Sequence, residues 1–100
     1  MPYIAQHWYD NDVTGLPGYH VFDAEEYNDP TIRNLRPVGE VWITGTPAAT
    51  GYMPTGWRWQ LSGTGMTGAS EEMPLTSYPA AVRDGVKAIA NAIDTMVRTG

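Results

Sequence analysis

One hundred residues, 42% hydrophobic and 17% charged, describe a single globular domain large enough to bury a core without covalent staples. The absence of cysteine excludes a disulfide framework and any thiolate zinc site. The formal net charge is −5, and the first 30 residues carry −6 of it, since Asp10, Asp12, Asp23, Glu25, Glu26 and Asp29 stand there without a single Lys or Arg, while the remaining 70 carry +1. That balance argues against direct nucleic-acid binding, whose affinity comes from basic contacts to phosphates. It suits a basic protein surface or a cation.

In chain order, Met1 to Trp8 has neither the basic start nor the apolar run of a signal peptide. No window holds the roughly 18 apolar residues of a membrane span, so a cytoplasmic protein is expected. Tyr3 to Tyr9 is rich in β-favouring aromatics and predicts a strand. Asp10 to Gly18 is dense in turn formers and predicts a loop, and Tyr19 to Phe22 a return strand. Asp23 is placed to cap a single helical turn through Glu25 and Glu26, and Asp29-Pro30 to start a second helix reaching Leu35 before Pro37. Val38 to Thr44 predicts a strand, and Thr46 to Gly56, with two prolines and two glycines, a loop.

The last 44 residues are the most legible. Trp57-Arg58-Trp59-Gln60-Leu61 alternates as a half-buried strand, Gly63-Thr64-Gly65 turns the chain, and a short return strand follows. A long amphipathic helix then runs to Gly100, with Val82, Val86, Ile89, Ile93 and Met96/Val97 on one stripe. Thr76 or Ser77 is the expected cap, Pro79 falls in the first turn, and Asp94 and Arg98 are spaced as a helical ion pair. Gly85 costs about 1 kcal/mol against Ala in a helix, which is tolerable where it lets the helix approach the sheet closely.

Strand alternation raises a second issue. Val41 and Ile43 point one way and Trp42 the other; Ile4 and Trp8 share one face of the first strand, while Tyr3, Ala5 and Tyr9 share the opposite one. One helix covers one face of a small sheet. Aromatic surface on the other face therefore needs cover from loops, a partner chain (a second copy or another protein) or a ligand.

Few motifs carry chemistry. Gly63-Thr64-Gly65-Met66-Thr67-Gly68 satisfies the G-x-G-x-x-G pattern, but Pro74 leaves no room for the helix that would hold a pyrophosphate, so a hairpin turn is expected and nucleotide binding is not. Asp10-Asn11-Asp12-Val13-Thr14-Gly15 resembles the first half of a calcium loop, with Asp10, Asp12 and Thr14 as candidate metal ligands; the twelfth position, which should be Glu, is Val21. His7 and His20, on neighbouring strands, are candidates to face one another and complete a His/carboxylate site. No catalytic residues and no cofactor are indicated. Arg58 alternates away from Trp57 and Trp59, which favours core packing over a nucleic-acid stacking platform.

Trp57-x-Trp59-x-Leu61, Ser70-Glu71, Thr76-Ser77, Ala80-Ala81 and Gly85-Val86 together resemble the ββα unit of the small YegP-like domains across residues 57–93. The turn here is Gly-Thr-Gly instead of Asn-Gly, and Met73-Pro74-Leu75 is extra. The resemblance implies a fold and no defined activity. In size and style the chain is also similar to small accessory proteins of actinobacterial phages, and that likeness implies binding to a host protein in the host cytoplasm.

The expectation is an α+β domain: an antiparallel sheet of four or five strands with one long C-terminal helix on one face. An acidic hairpin region, 1–30, rests on a strand–turn–strand–helix unit, 57–98. The expected function is non-catalytic binding to a host protein or to a second copy, through Asp10, Asp12, Asp23, Glu25, Glu26, Trp8 and Trp42. The alternatives are a calcium- or zinc-binding domain and a structural virion component.

Overall fold

The computed structural model describes residues 2–75 and 77–99, without the side chains of 98 and 99. Five strands form one antiparallel sheet in chain order: β1 (Tyr3–Asp10), β2 (Pro17–Asp23), β3 (Gly39–Ala48), β4 (Gly51–Leu61) and β5 (Thr67–Ala69). A single-turn helix α1 (Ala24–Tyr27) follows β2, and the long helix α2 (Tyr78–Thr99) closes the chain. The α+β expectation holds, with five strands.

The core lies between α2 and one face of the sheet. Register places Val21, Val41, Ile43 and Leu61 on that face, with Trp57 and Trp59 beside them. From above, Ala81, Val82, Val86 and Ile89 fill the layer. Val21, Val41 and Ile89 are wholly buried, and burial of such side chains contributes about 1.5–3 kcal/mol each. At Gly85 the helix backbone approaches β3 so closely that a Cβ there would stand 2.6 Å from Val41 Cγ1. Close approach explains a helix-weakening residue in the middle of the helix. The Ser77 hydroxyl accepts from the Ala80 amide at 3.2 Å and supplies the cap. Thr76 and the Asp94–Arg98 pair lie outside what is described.

The glycine-rich segment is a hairpin turn. Gly63 and Gly65 take φ of 75° and 74°, a region closed to most side chains, and β5 pairs back on β4 from Thr67 to Ala69. No helix opens on this loop.

Two local expectations are corrected. The segment 29–35 is not a helix. Asp29 Oδ1 accepts from both the amide and the hydroxyl of Thr31, at 2.9 and 2.7 Å, and this local turn replaces the helix cap. Residues 46–56 are not a loop: β3 and β4 continue past a bulge at Thr44/Gly45 and remain paired as far as Ala48↔Gly51. The prolines are tolerated because β2 pairs with β3 only as far as Trp42, which leaves Pro47 on an outer edge. On the other edge, Met73 and Leu75 donate to the carbonyls of Thr55 and Pro54 at 2.8 and 3.1 Å.

Candidate functional site

The same register that fills the core sends every second side chain to the face α2 leaves bare. Its lower end is closed by α1. Asp23 caps that turn as expected, accepting from the amides of Glu25 and Glu26 at 2.9 and 3.1 Å. Tyr27 then comes down over Phe22, ring centroids 5.6 Å apart, and donates to Gln6 Oε1. Phe22 is thereby buried on the side opposite the main core.

Above that cover the face stays open and becomes aromatic. A bulge between His7 and Tyr9 inserts one extra residue into β1, and a bulge re-aims the side chains that follow it. Trp8 stacks on His20, centroids 4.5 Å apart and planes inclined by 16°. Tyr9 lies opposite Gly18, and its ring fills the space a Cβ at Gly18 would need. Strict alternation assigns Tyr9 to the face of Tyr3 and Ala5; the bulge moves it to the open face with Trp8, which corrects that expectation.

A polar line joins these rings across three strands. The Tyr9 hydroxyl donates to Glu40 Oε1 at 2.8 Å, and Glu40 Oε2 stands 3.8 Å from His20 Nε2, too far for a hydrogen bond. Partial burial, then the hydrogen bond to Glu40 and its charge, push the Tyr9 hydroxyl up to about 12 from 10.0. Burial, with the neighbouring Tyr78 and Asp10, also raises Tyr19. Trp42 follows Glu40 on the same face at the next in-phase position, with Arg58 directly across on β4 and Gln60 across from Glu40. Trp42, Arg58, Gln60, Thr67 and Ala69 line a shallow groove of about 420 Å³. Flat rings, a guanidinium, a carboxylate and an amide stand together on one surface. That is the residue mixture of protein interfaces, whose energetic centres favour Trp, Tyr and Arg.

Trp8 and Trp42 therefore share one face. The acidic candidates divide between the two ends of the β1–β2 hairpin: Asp10 and Asp12 at its tip, Asp23, Glu25 and Glu26 at its base. The ends are about 20 Å apart at 3.4 Å per strand residue, so the acids flank the aromatic patch instead of forming one cluster.

His7 and His20 do not face one another. His7 pairs with Tyr19 and His20 with Gln6; a one-residue offset in an antiparallel pair puts side chains on opposite faces. His7 Nε2 instead meets Asp10 Oδ1 at 2.9 Å. In the Asp10–Gly15 loop two side-chain oxygens are taken up by nearby backbone amides. Asn11 Oδ1 accepts from the amides of Val13 and Thr14 at 2.8 and 3.0 Å, and Thr14 Oγ1 from that of Leu16 at 3.1 Å. Leu16 enters the core, which anchors the loop. Among the described residues no group of three or more His, Asp or Glu side chains converges.

Alternation already marks Trp42, and it places Arg58 away from Trp57 and Trp59. Tyr9, His20 and Glu40 come together only through the bulge and the strand order, and adjacent positions in sequence give no signal of that. No helix among the described residues is long and apolar enough to cross a membrane. No protein-family model matches the chain, and no curated protein or solved structure is significantly similar to it.

Proposed function

We propose that this chain is a non-catalytic protein-binding module that presents the helix-free face of its sheet to a partner surface with an apolar centre and basic flanks. The observation that carries the reading is the placement of Trp8 and Trp42 on the uncovered face, with acidic groups at both ends of the adjoining hairpin. Buried aromatic anchors supply the energy of such contacts, and flanking charge sets orientation and association rate. A phage-encoded accessory protein acting on a host protein is the setting that the sequence style suggests.

The test compares capture from an actinobacterial lysate by immobilised wild type, by Trp8→Ala/Trp42→Ala, and by Lys87→Ala as an exposed control on α2, across the sheet from this face. The reading requires a partner lost with the double variant, kept by the control and released by salt, because its acidic flanks are screened. A captured protein indifferent to both tryptophans overturns it.

A further inference from the structure

The two edges of the sheet are unequal. The β5 edge is three residues long and passes into an irregular segment containing Pro74, which blunts it. At the other edge β1 runs straight from Tyr3 to His7 before its bulge, with no Pro and no Asp, Glu, Lys or Arg in that run. Edge strands left in this state are templates for another strand.

The hydrogen-bond phase tells which groups face outward. The Ala24 amide donates to the Pro2 carbonyl, so position 2 points its backbone toward β2; the Val21 carbonyl accepts from Val38, so Val21, the partner of Ala5, points away from β1. Alternation then directs the N–H and C=O groups of Tyr3, Ala5 and His7 out of the sheet. This outward set is symmetric about Ala5.

We infer that β1 pairs antiparallel with β1 of a second copy across a two-fold axis at Ala5, joining two five-stranded sheets into one. In that register Ala5 exchanges both bonds with Ala5 of the second copy, and Tyr3 does so with His7, so every outward group between Tyr3 and His7 finds a partner. No other register uses the whole set. The side chains agree. The smallest of the three residues lies on the axis, and no like charges oppose one another. Tyr3 of the second copy extends the aromatic row that His7 already makes with Tyr19, whose rings are 5.5 Å apart. Above the edge, α2 and Tyr3 border a groove of about 350 Å³ that includes Ile93 and the exposed Val97, and His7 of the second copy enters on that side. Both chains carry −5, so salt strengthens this contact, whereas it weakens the binding of a basic partner.

Sedimentation across a concentration series, with amide hydrogen exchange on the same samples, tests the pairing. The mass is expected to double from 11.0 kDa, and the amides of Ala5 and His7 to become slow to exchange only where it has doubled, with Gln6 slow throughout. Ala5→Pro, which removes an outward N–H that makes no bond within the chain, is expected to keep the protein monomeric. A mass that stays at 11.0 kDa up to about 1 mM, or a doubled mass with Ala5 and His7 still exchanging freely, overturns the inference whether or not the proline variant folds.

Discussion

The two faces of this sheet are built from the same strands, yet they divide the labour between stability and contact. Under α2 the side chains are mostly aliphatic and closed off, with Val21, Val41 and Ile89 wholly buried. On the other face the rings of Trp8, Tyr9, His20 and Trp42 are mixed with Glu40, Arg58 and Gln60, and only the α1 corner is covered. A core side chain gains by having every neighbour in place before anything binds. An interface side chain gains by being partly desolvated beforehand and completed by the partner. The Trp8–His20 stack and the Tyr9–Glu40 bond are of the second kind: they hold the rings in position without burying them.

Substitutions can break this division. The largest effect is expected at Ile89→Ala, which empties a fully buried position and should cost about 2–5 kcal/mol in denaturant unfolding. A cost under 1 kcal/mol would mean that the covered face is not the stabilising one. Gly85→Ala is next. Helix propensity favours it by about 1 kcal/mol, but the added carbon would stand 2.6 Å from Val41, and overpacking of about 1–3 kcal/mol should leave a net loss; a gain in the same assay would show that the helix has room to shift. Trp8→Ala removes a side chain that is 60% exposed and should cost about 1 kcal/mol or less while weakening partner capture strongly. A large stability loss there would reassign the open face to the core.

The smallest effect belongs to the polar line. The Tyr9 hydroxyl has a folded-state pKa raised from 10.0 to about 12, so the folded chain holds that proton more tightly than the unfolded chain does. Its stabilising contribution is complete below pH 10, declines once the unfolded phenol ionises, and is lost as pH rises through the folded value. Ultraviolet titration of tyrosinate should show Tyr9 and Tyr19 ionising late, and Glu40→Gln should bring Tyr9 earlier by removing the carboxylate's charge. An unchanged titration would separate Tyr9 from Glu40.

Much of the fold was legible because it rests on local periodicity. The α2 stripe, the Trp57–Leu61 alternation, the glycine turn and the Asp23 cap each follow from spacing or from the chemistry of one residue. What failed was what the neighbours decide. Thr46 to Gly56 has the composition of a loop, yet pairing between β3 and β4 holds it as a ribbon, because the prolines fall where no ladder bond is demanded. Asp29 has the right residue after it for a helix cap, but its carboxylate is satisfied by Thr31 two positions on. His7 and His20 stand on adjacent strands, and their register, which no spacing reveals, separates them.

Periodicity and composition act within a short stretch of chain, and they were enough for the elements of the C-terminal half and the charge of the first 30 residues. With one long helix for a two-faced sheet one face was bound to stay bare, and the alternation of Trp42 against Val41 and Ile43 put aromatic surface on it. The tertiary structure alone decided what that bare face carries. One inserted residue in β1 moved Tyr9 across the sheet, and strand order brought it to Glu40, 31 positions away in sequence. Contacts of that range depend on register and bulges, which are set by the packing of the whole sheet and not by any window of sequence.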